Sequence, residues 1–551
     1  MDGDEKQESA GLQIQAEVKK QARRRRNKAH LQKAMRNMNE DDSSPSSAAQ
    51  SQGSHVQSPD TAATVYTISH TSGASDSPVN TSSAVFNGAF LTTGELELSC
   101  IMSYLDYVFP TMFPLYTPPI TRSGRGWLLV RIMNNETLRH VIISLTTHFF
   151  SVVPVIDNPE RRICERWSNS ELVTRTAQAI NRLQQDISDP KAWNADYTLG
   201  SGHSSLRSKV HLLESIIHLM LLEVSSTHAP ERWEMHLDAA TTLFRQIANE
   251  ALQSTNAHPS DGCLASVFKQ LSPSPLHAAS SPFFPDLTPW IADQASFYFC
   301  ATVLVTADII SSVSLQRAPV LRDYHSLLLA SDSQAGDGGF LLEASDLFGC
   351  QTQVFEIISC ITQLDVWKKE QKELGAFCIT TLTERGGVID QRLREAIACT
   401  GGDASSSSFD STHSPTEEVK GAKDSQTALV TRIWAHAARI HLHVVLSGWQ
   451  ALNPVISQTV NEIMHLLQSL TPRMLSALAW PFCVAGCMAK EEQECLFRGI
   501  ASTMGATAAF GTTKIALEVM EEVWRQRNSA STESWNMASA LGVLERHVLL
   551  L

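Results

Sequence analysis

Apolar residues recur every three or four positions along most of this chain, the spacing that lines one face of an α-helix. Leu172, Thr176, Ala179, Ile180, Leu183 and Ile187 form one such stripe. Ile433, Ala437, Ile440 and Val444 form another, and Ile515, Val519, Met520, Val523 and Trp524 a third. Sustained period-two alternation bounded by hairpin dipeptides is hard to find, so few strands are expected. The expected class is all-α, a large helical domain of packed helix pairs. No fixed-period repeat of the tetratricopeptide or HEAT kind emerges. At 551 residues and 43% hydrophobic, the chain has enough apolar surface for a large core.

Composition breaks organise the rest. From 41 to 84 the chain is Ser, Thr, Ala, Pro and Asp with hardly a large apolar residue, too little burial to offset ordering entropy. A disordered linker is expected there. It separates a basic N-terminal arm, 1–40, expected to be a basic helix, from the helical domain at 85–551. Low-complexity breaks near 254–289, 331–339 and 400–425 are expected to be disordered insertions in that domain. The amino terminus, MDGDEKQ, lacks the apolar run of a secretory signal. The two most apolar stretches, HLLESIIHLMLLEV and FYFCATVLVTADIISSVSL, are interrupted by Glu, His or Asp well short of about 20 clean residues. Both read as buried helices, and no membrane partner is expected. Eleven scattered cysteines without a signal peptide point to reduced thiols, which leaves the sequons at Asn80 and Asn135 without consequence.

The arm stands out because the chain as a whole carries a formal charge of -13. Val18 to Arg36 holds nine basic residues and no acid: Lys19, Lys20, Arg23, Arg24, Arg25, Arg26, Lys28, Lys33 and Arg36. Such a segment serves as a nuclear-import signal, as a phosphate contact on DNA, or as a solvated face. A leucine-zipper basic region is excluded, since Met35 stands where that motif wants a base and no leucine heptads follow. Ser-Pro pairs at Ser44, Ser58, Ser77 and Ser414 are candidate phosphorylation sites in the expected disordered segments.

Catalytic signatures are missing. There is no G-x-S-x-G elbow, no phosphate loop, no H-E-x-x-H and no strand leading into G-x-G-x-x-G. The acids Glu40, Asp41 and Asp42 run into SSPSSAAQ, which cannot hold a metal geometry. Cys483, Cys487 and Cys495 are spaced along one helical face, yet no second pair completes a zinc site, and packing of small soft side chains is the favoured reading over a redox role. His436, His441 and His443 lack a carboxylate of suitable spacing nearby in sequence and read as packed or surface histidines. Tyr104, Tyr107, Phe109, Phe113, Tyr116 and Trp127 offer flat apolar surface with hydroxyl handles. They are the candidate ligand pocket, with core packing as the plainer alternative. No enzyme is expected.

Six segments in order complete the picture: SYLDYVFPTMFPLY, GRGWLLVRIM, SDLFGCQTQVFEIISCITQLDVWKKEQ, RIWAHAARIHLHVVLSGWQ, WPFCVAGCMAKEEQ and KIALEVMEEVW. Together they resemble the fungal-specific transcription factor domain of one branch of the zinc-cluster (six-cysteine) regulators, from about Glu95 to Trp524. Members of that family usually carry, ahead of this domain, six cysteines that hold two zinc ions and read CGG triplets. No cysteine precedes Cys100, so no base-reading residue is carried over. The arm resembles the basic flank that follows the cluster. The resemblance implies a nuclear transcriptional regulator, pathway-specific and tied to a specialised-metabolite gene cluster. It also leaves open a cluster-less co-regulator acting through a complete zinc-cluster partner, or a small-molecule receptor built on the aromatic pocket. The partners it implies are DNA, the transcription machinery, another zinc-cluster factor or a second copy of the chain. No cofactor is expected in this chain, and zinc only if an upstream exon encodes the cluster.

Overall fold

The computed structural model describes residues 84–86, 89–91, 93–119, 122–153, 169–188, 203–226, 232–254, 263–272, 290–329, 342–400, 415–527 and 535–551. The basic arm, nearly all of the expected linker and the 331–339 insertion lie outside them. An antiparallel hairpin, β1 (Ala84–Phe86) and β2 (Ala89–Leu91), pairs Val85 with Phe90 and is the only sheet among the described residues. Every described residue after it is helical or irregular, as the apolar spacing predicts.

Helix α1 (Thr93–Ser103) continues through a widened π turn, Tyr104–Val108, into a last turn at Phe109–Met112. The extra residue in that turn coincides with Tyr104 and Val108 both being fully buried. Next come α2 (Gly126–Asn134) and α3 (Glu136–Val152), joined at Asn135, whose side chain caps α3 by accepting from Leu138 N at 3.0 Å. Helices α4 (Asn169–Ser188) and α5 (His203–Ser225) pack on α3 and on each other, and α6 (Arg232–Ser254) packs on α5.

Helix α7 (Cys263–Leu271) falls inside the stretch near 254–289 that was expected to be a disordered insertion. Leu264, Val267, Phe268 and Leu271 are buried, a short i, i+3, i+4, i+7 stripe that the flanking low-complexity sequence conceals. The break near 400–425 is likewise shorter than its composition suggests. Helix α10 (Ile379–Cys399) reaches its edge, and α11 (Pro415–Ser447) begins inside it with Pro at the first helical position.

Helix α8 (Ala292–Leu315) is the centre of the first half, its residues Gln294–Ser314 all buried against α2, α5, α6 and α9 (Thr352–Glu373). Among the described residues it is the one helix long and apolar enough to cross a membrane, and 94% of that window is buried inside the protein. Near its end the fully buried Asp308 accepts from the backbone N–H groups of Val320 and Leu321 at 3.0 and 2.8 Å, which fixes the chain as it leaves the helix. In the second half α11 packs on α9, α10, α12 (Pro454–Gln468) and α13 (Ala479–Cys487), where Trp434 stacks on Trp480 with ring centres 5.4 Å apart. Helices α14 (Glu491–Ser502) and α15 (Thr512–Gln526) close that end.

Candidate functional site

Three helices of the first half, α2, α5 and α8, meet along a seam that carries two layers of side chains. One layer is aromatic. Phe109 lies with its ring centre 5.9 Å from Tyr104, 5.3 Å from Phe113, 5.7 Å from Tyr116 and 5.8 Å from Phe299 of α8. Trp127 of α2 reaches Phe299 at 5.4 Å and donates its indole N–H to the Tyr116 hydroxyl at 3.0 Å. Tyr104, Phe109, Phe113, Tyr116 and Trp127, expected as the lining of a ligand pocket, are all buried in this cluster. Tyr107 is not part of it: it is 41% exposed and edges onto Phe150. The rings pack edge to face or tilted on one another, as aromatic side chains do in filled cores. Phe113 lines a narrow apolar void of about 40 Å³ shared with Leu221, Met504 and Phe510.

The other layer is ionic and sits one helical turn away on each helix. Arg131, four residues after Trp127, donates through Nε and Nη2 to both oxygens of Glu214 on α5 (3.2, 3.1 and 2.9 Å) and through Nη1 to Asp293 in the first turn of α8 (2.8 Å). Glu214 also accepts from Ser296 of α8 at 2.5 Å and from Asn135 at 3.3 Å. Asp293 is held from the outside by Arg207 at 2.8 Å and His211 at 3.3 Å. One turn along α5, His218 donates to the Glu214 carbonyl at 2.8 Å and stacks on Phe299, which joins the two layers.

Glu214 is fully buried and Arg131 nearly so. Burial alone raises the Glu214 carboxyl, but the Arg131 guanidinium and the hydrogen bonds it accepts outweigh that, and its pKa lies below the ordinary value. Burial likewise works against the charge on Arg131, and Glu214 and Asp293 reverse it. Every charge in the layer is therefore compensated, as a buried ion pair requires. None of Arg131, Glu214 and Asp293 was singled out by the sequence reading. The signal was present in Glu214, a carboxylate inside the apolar run HLLESIIHLMLLEV that must find a partner when buried.

Above the ionic layer a polar cleft of about 350 Å³ opens between the α2–α3 corner, α4 and α5, lined by Asn134, Asn135, Glu136, Thr137, Arg182, Asp186, Ser208, His211, Leu212 and Ser215. A second groove of about 400 Å³ runs between α9 and α10, where Arg385 stacks over Trp367 at 4.2 Å.

The other candidates fall elsewhere. Cys483 and Cys487 are buried with sulfurs 3.9 Å apart, and burial pushes the Cys483 thiol well up, which disfavours the reactive thiolate. Cys495 is exposed on α14. His441 is buried edge-on to Trp480, whereas His443 comes within 3.7 Å of Asp390 on α10, a carboxylate far away in sequence. Asp390 is already neutralised by Arg439 at 2.8 Å and by Arg394. Among the described residues no His, Cys, Asp and Glu group is arranged to hold a metal ion.

Comparison with known proteins adds to this geometry. The model of a family described as "Fungal specific transcription factor domain" matches residues 99–550. "Transcription factor dibT" of Pestalotiopsis microspora is 32% identical over 465 residues, 83% of this chain and 71% of the relative. "Trichothecene biosynthesis transcription regulator TRI10" of Trichoderma arundinaceum is 27% identical over 459 residues, 80% of this chain and 94% of the relative. "Pestheic acid cluster transcriptional regulator 3" of Pestalotiopsis fici is 23% identical over 456 residues, 80% of this chain and 73% of the relative. No solved structure matches significantly.

Proposed function

Because the chain belongs to the fungal-specific transcription factor domain family, we propose that it is a nuclear, pathway-specific regulator of transcription that controls a specialised-metabolite gene cluster. The observation that carries this reading is the 32% identity to a transcription factor across 83% of the chain. It is supported by regulators of trichothecene and pestheic acid production being similar over comparable lengths. The helical body receives and transmits; the basic arm, Lys19 to Arg36, serves import and contacts DNA phosphate. Deleting the gene is expected to silence one contiguous set of biosynthetic transcripts. Unchanged transcripts across all such clusters under producing conditions contradict the reading.

The arm makes two separate predictions. Replacing Arg23→Ala, Arg24→Ala, Arg25→Ala and Arg26→Ala together is expected to move a fluorescently tagged chain from nucleus to cytoplasm. In purified form the arm is expected to bind DNA of any sequence, with an affinity that falls steeply with salt, since phosphate neutralisation releases counterions. Salt-independent binding to one sequence runs against it.

A second reading, a co-regulator acting through a zinc-cluster partner or the transcription machinery, is favoured by one observation. A regulator of trichothecene biosynthesis matches this chain over 94% of its own length, at 27% identity. Under this reading the chain is recruited to specific promoters only when a partner factor is present, and promoter occupancy in strains with and without such a factor separates the two.

A further inference from the structure

The groove between α9 and α10 presents a cation already set in place for a ligand. Its floor is one stripe of α9, Cys360, Gln363, Leu364, Trp367 and Glu370, with Val366 beside it. Arg385 and Ile389 of α10 line it too, as do Ala318 and Arg322 from the chain after α8. Leu364 and Ile389 are buried and Trp367 half-buried, which makes the bed apolar. The Arg385 guanidinium lies 4.2 Å from the centre of the Trp367 ring and makes no ion pair among the described residues. A guanidinium stacked in this way keeps the N–H groups of its edge for a ligand, and it loses little freedom when one binds. Arg322 meets its neighbour Asp323 at 3.5 Å, with the two side chains 53% and 75% exposed, a pair too solvated to neutralise it. The volume, about 400 Å³, lies in the usual range of about 300–1,000 Å³ for ligand sites.

A planar fork of donors next to an apolar bed matches a carboxylate joined to a flat hydrocarbon body. We infer that the groove binds a small aromatic carboxylic acid as its anion, the carboxylate bidentate on Arg385 and the ring on Leu364 and Ile389 beside the Trp367 indole. Glu370 lies one turn beyond Trp367 and opposes the anion, but it is exposed, so water and salt screen its charge. The occupant touches α9, α10 and the chain leaving α8, whose path Asp308 fixes through the N–H groups of Val320 and Leu321. Binding therefore braces three elements against one another. This goes beyond the transcriptional reading and does not depend on it.

The test is a thermal-shift and calorimetric titration of the purified full chain with benzoate, salicylate and naphthoate at millimolar concentration. Naphthamide, which has the ring without the charge, and acetate, which has the charge without the ring, are the comparison probes. At least one aromatic carboxylate is expected to bind saturably and raise Tm, and neither comparison probe is. Arg385→Met is expected to weaken that binding about tenfold or more, the worth of hydrogen bonds to a charged group. Arg385→Lys, which keeps the charge but not the fork, is also expected to lose affinity, and Glu370→Gln to gain it. Arg473→Met removes an exposed positive charge outside the groove and is expected to bind like the parent. Arg385, Glu370 and Arg473 are all exposed, so these variants are expected to keep the far-UV circular dichroism of the parent. The inference is overturned if no aromatic carboxylate binds, if naphthamide or acetate binds as well, if Arg385→Met binds like the parent, or if Arg473→Met loses as much as Arg385→Met. No DNA enters the assay, so its failure leaves the transcriptional reading standing.

Discussion

Gly349 and Gly386 show how much single positions decide in a helical core. Gly349 adopts φ +66°, and a Cβ there would run into the Leu115 side chain. Gly349→Ala is therefore expected to cost about 1–3 kcal/mol, from the left-handed backbone and the clash together, measurable by urea denaturation. At Gly386 a Cβ would lie 2.5 Å from the end of the Leu446 side chain, which must shift to admit any larger residue between α10 and α11. Histidine burial sets a pH dependence. Burial is the main cause that lowers His236, His325, His436 and His441 from 6.5 to about 4, with Arg232 adding to it at His236 and Arg432 and Arg439 at His436. Above pH 6.5 these rings are neutral folded or unfolded. Between 6.5 and about 4 the unfolded chain takes up protons that the folded one refuses, so stability is expected to fall as pH drops through that window. A Tm that stays level from neutral pH down to 5 would contradict the neutral burial of these rings. The types and spacings of these histidines were legible in the sequence, but the burial that shifts them was not.

Among the elements, α2, α5 and α8 are pinned by one guanidinium. Glu214→Gln leaves Arg131 with a weakened partner, and Arg131→Met leaves Glu214 without its main one. Each is expected to cost about 3–5 kcal/mol in chemical denaturation, whereas the double change Arg131→Met, Glu214→Met is expected to recover most of that loss. Additive losses would mean that the two residues act independently. Period 3.6 made α4 and α15 readable because each covers a core with one stripe. It was less informative for α8, which is apolar on all sides, and its all-round burial explains why. Helix α7 escaped because one short stripe does not outweigh low-complexity flanks, and its stability comes from burial against α5 and α6 more than from its own residues.

For the molecule as a whole, burial predicts a gradient of stability. Amide exchange is expected to be slowest in α8, buried from Gln294 to Ser314, and faster on the outer face of α10, where Thr383, Glu384, Val388 and Gln391 are exposed. Exchange in α8 as fast as in α10 would mean that α8 does not belong to the last-opening core. Class and family were written in local patterns: helical spacing, ordered signature segments and a basic run on an acidic chain. These survive in one dimension because helix faces and short motifs are built from near neighbours. The ionic layer and the union of Phe109 and Trp127 with Phe299 join residues far apart in the chain, 83 positions for Arg131 with Glu214 and 162 for Arg131 with Asp293. Such meetings depend on which helix faces oppose one another, and that is settled by packing the whole core.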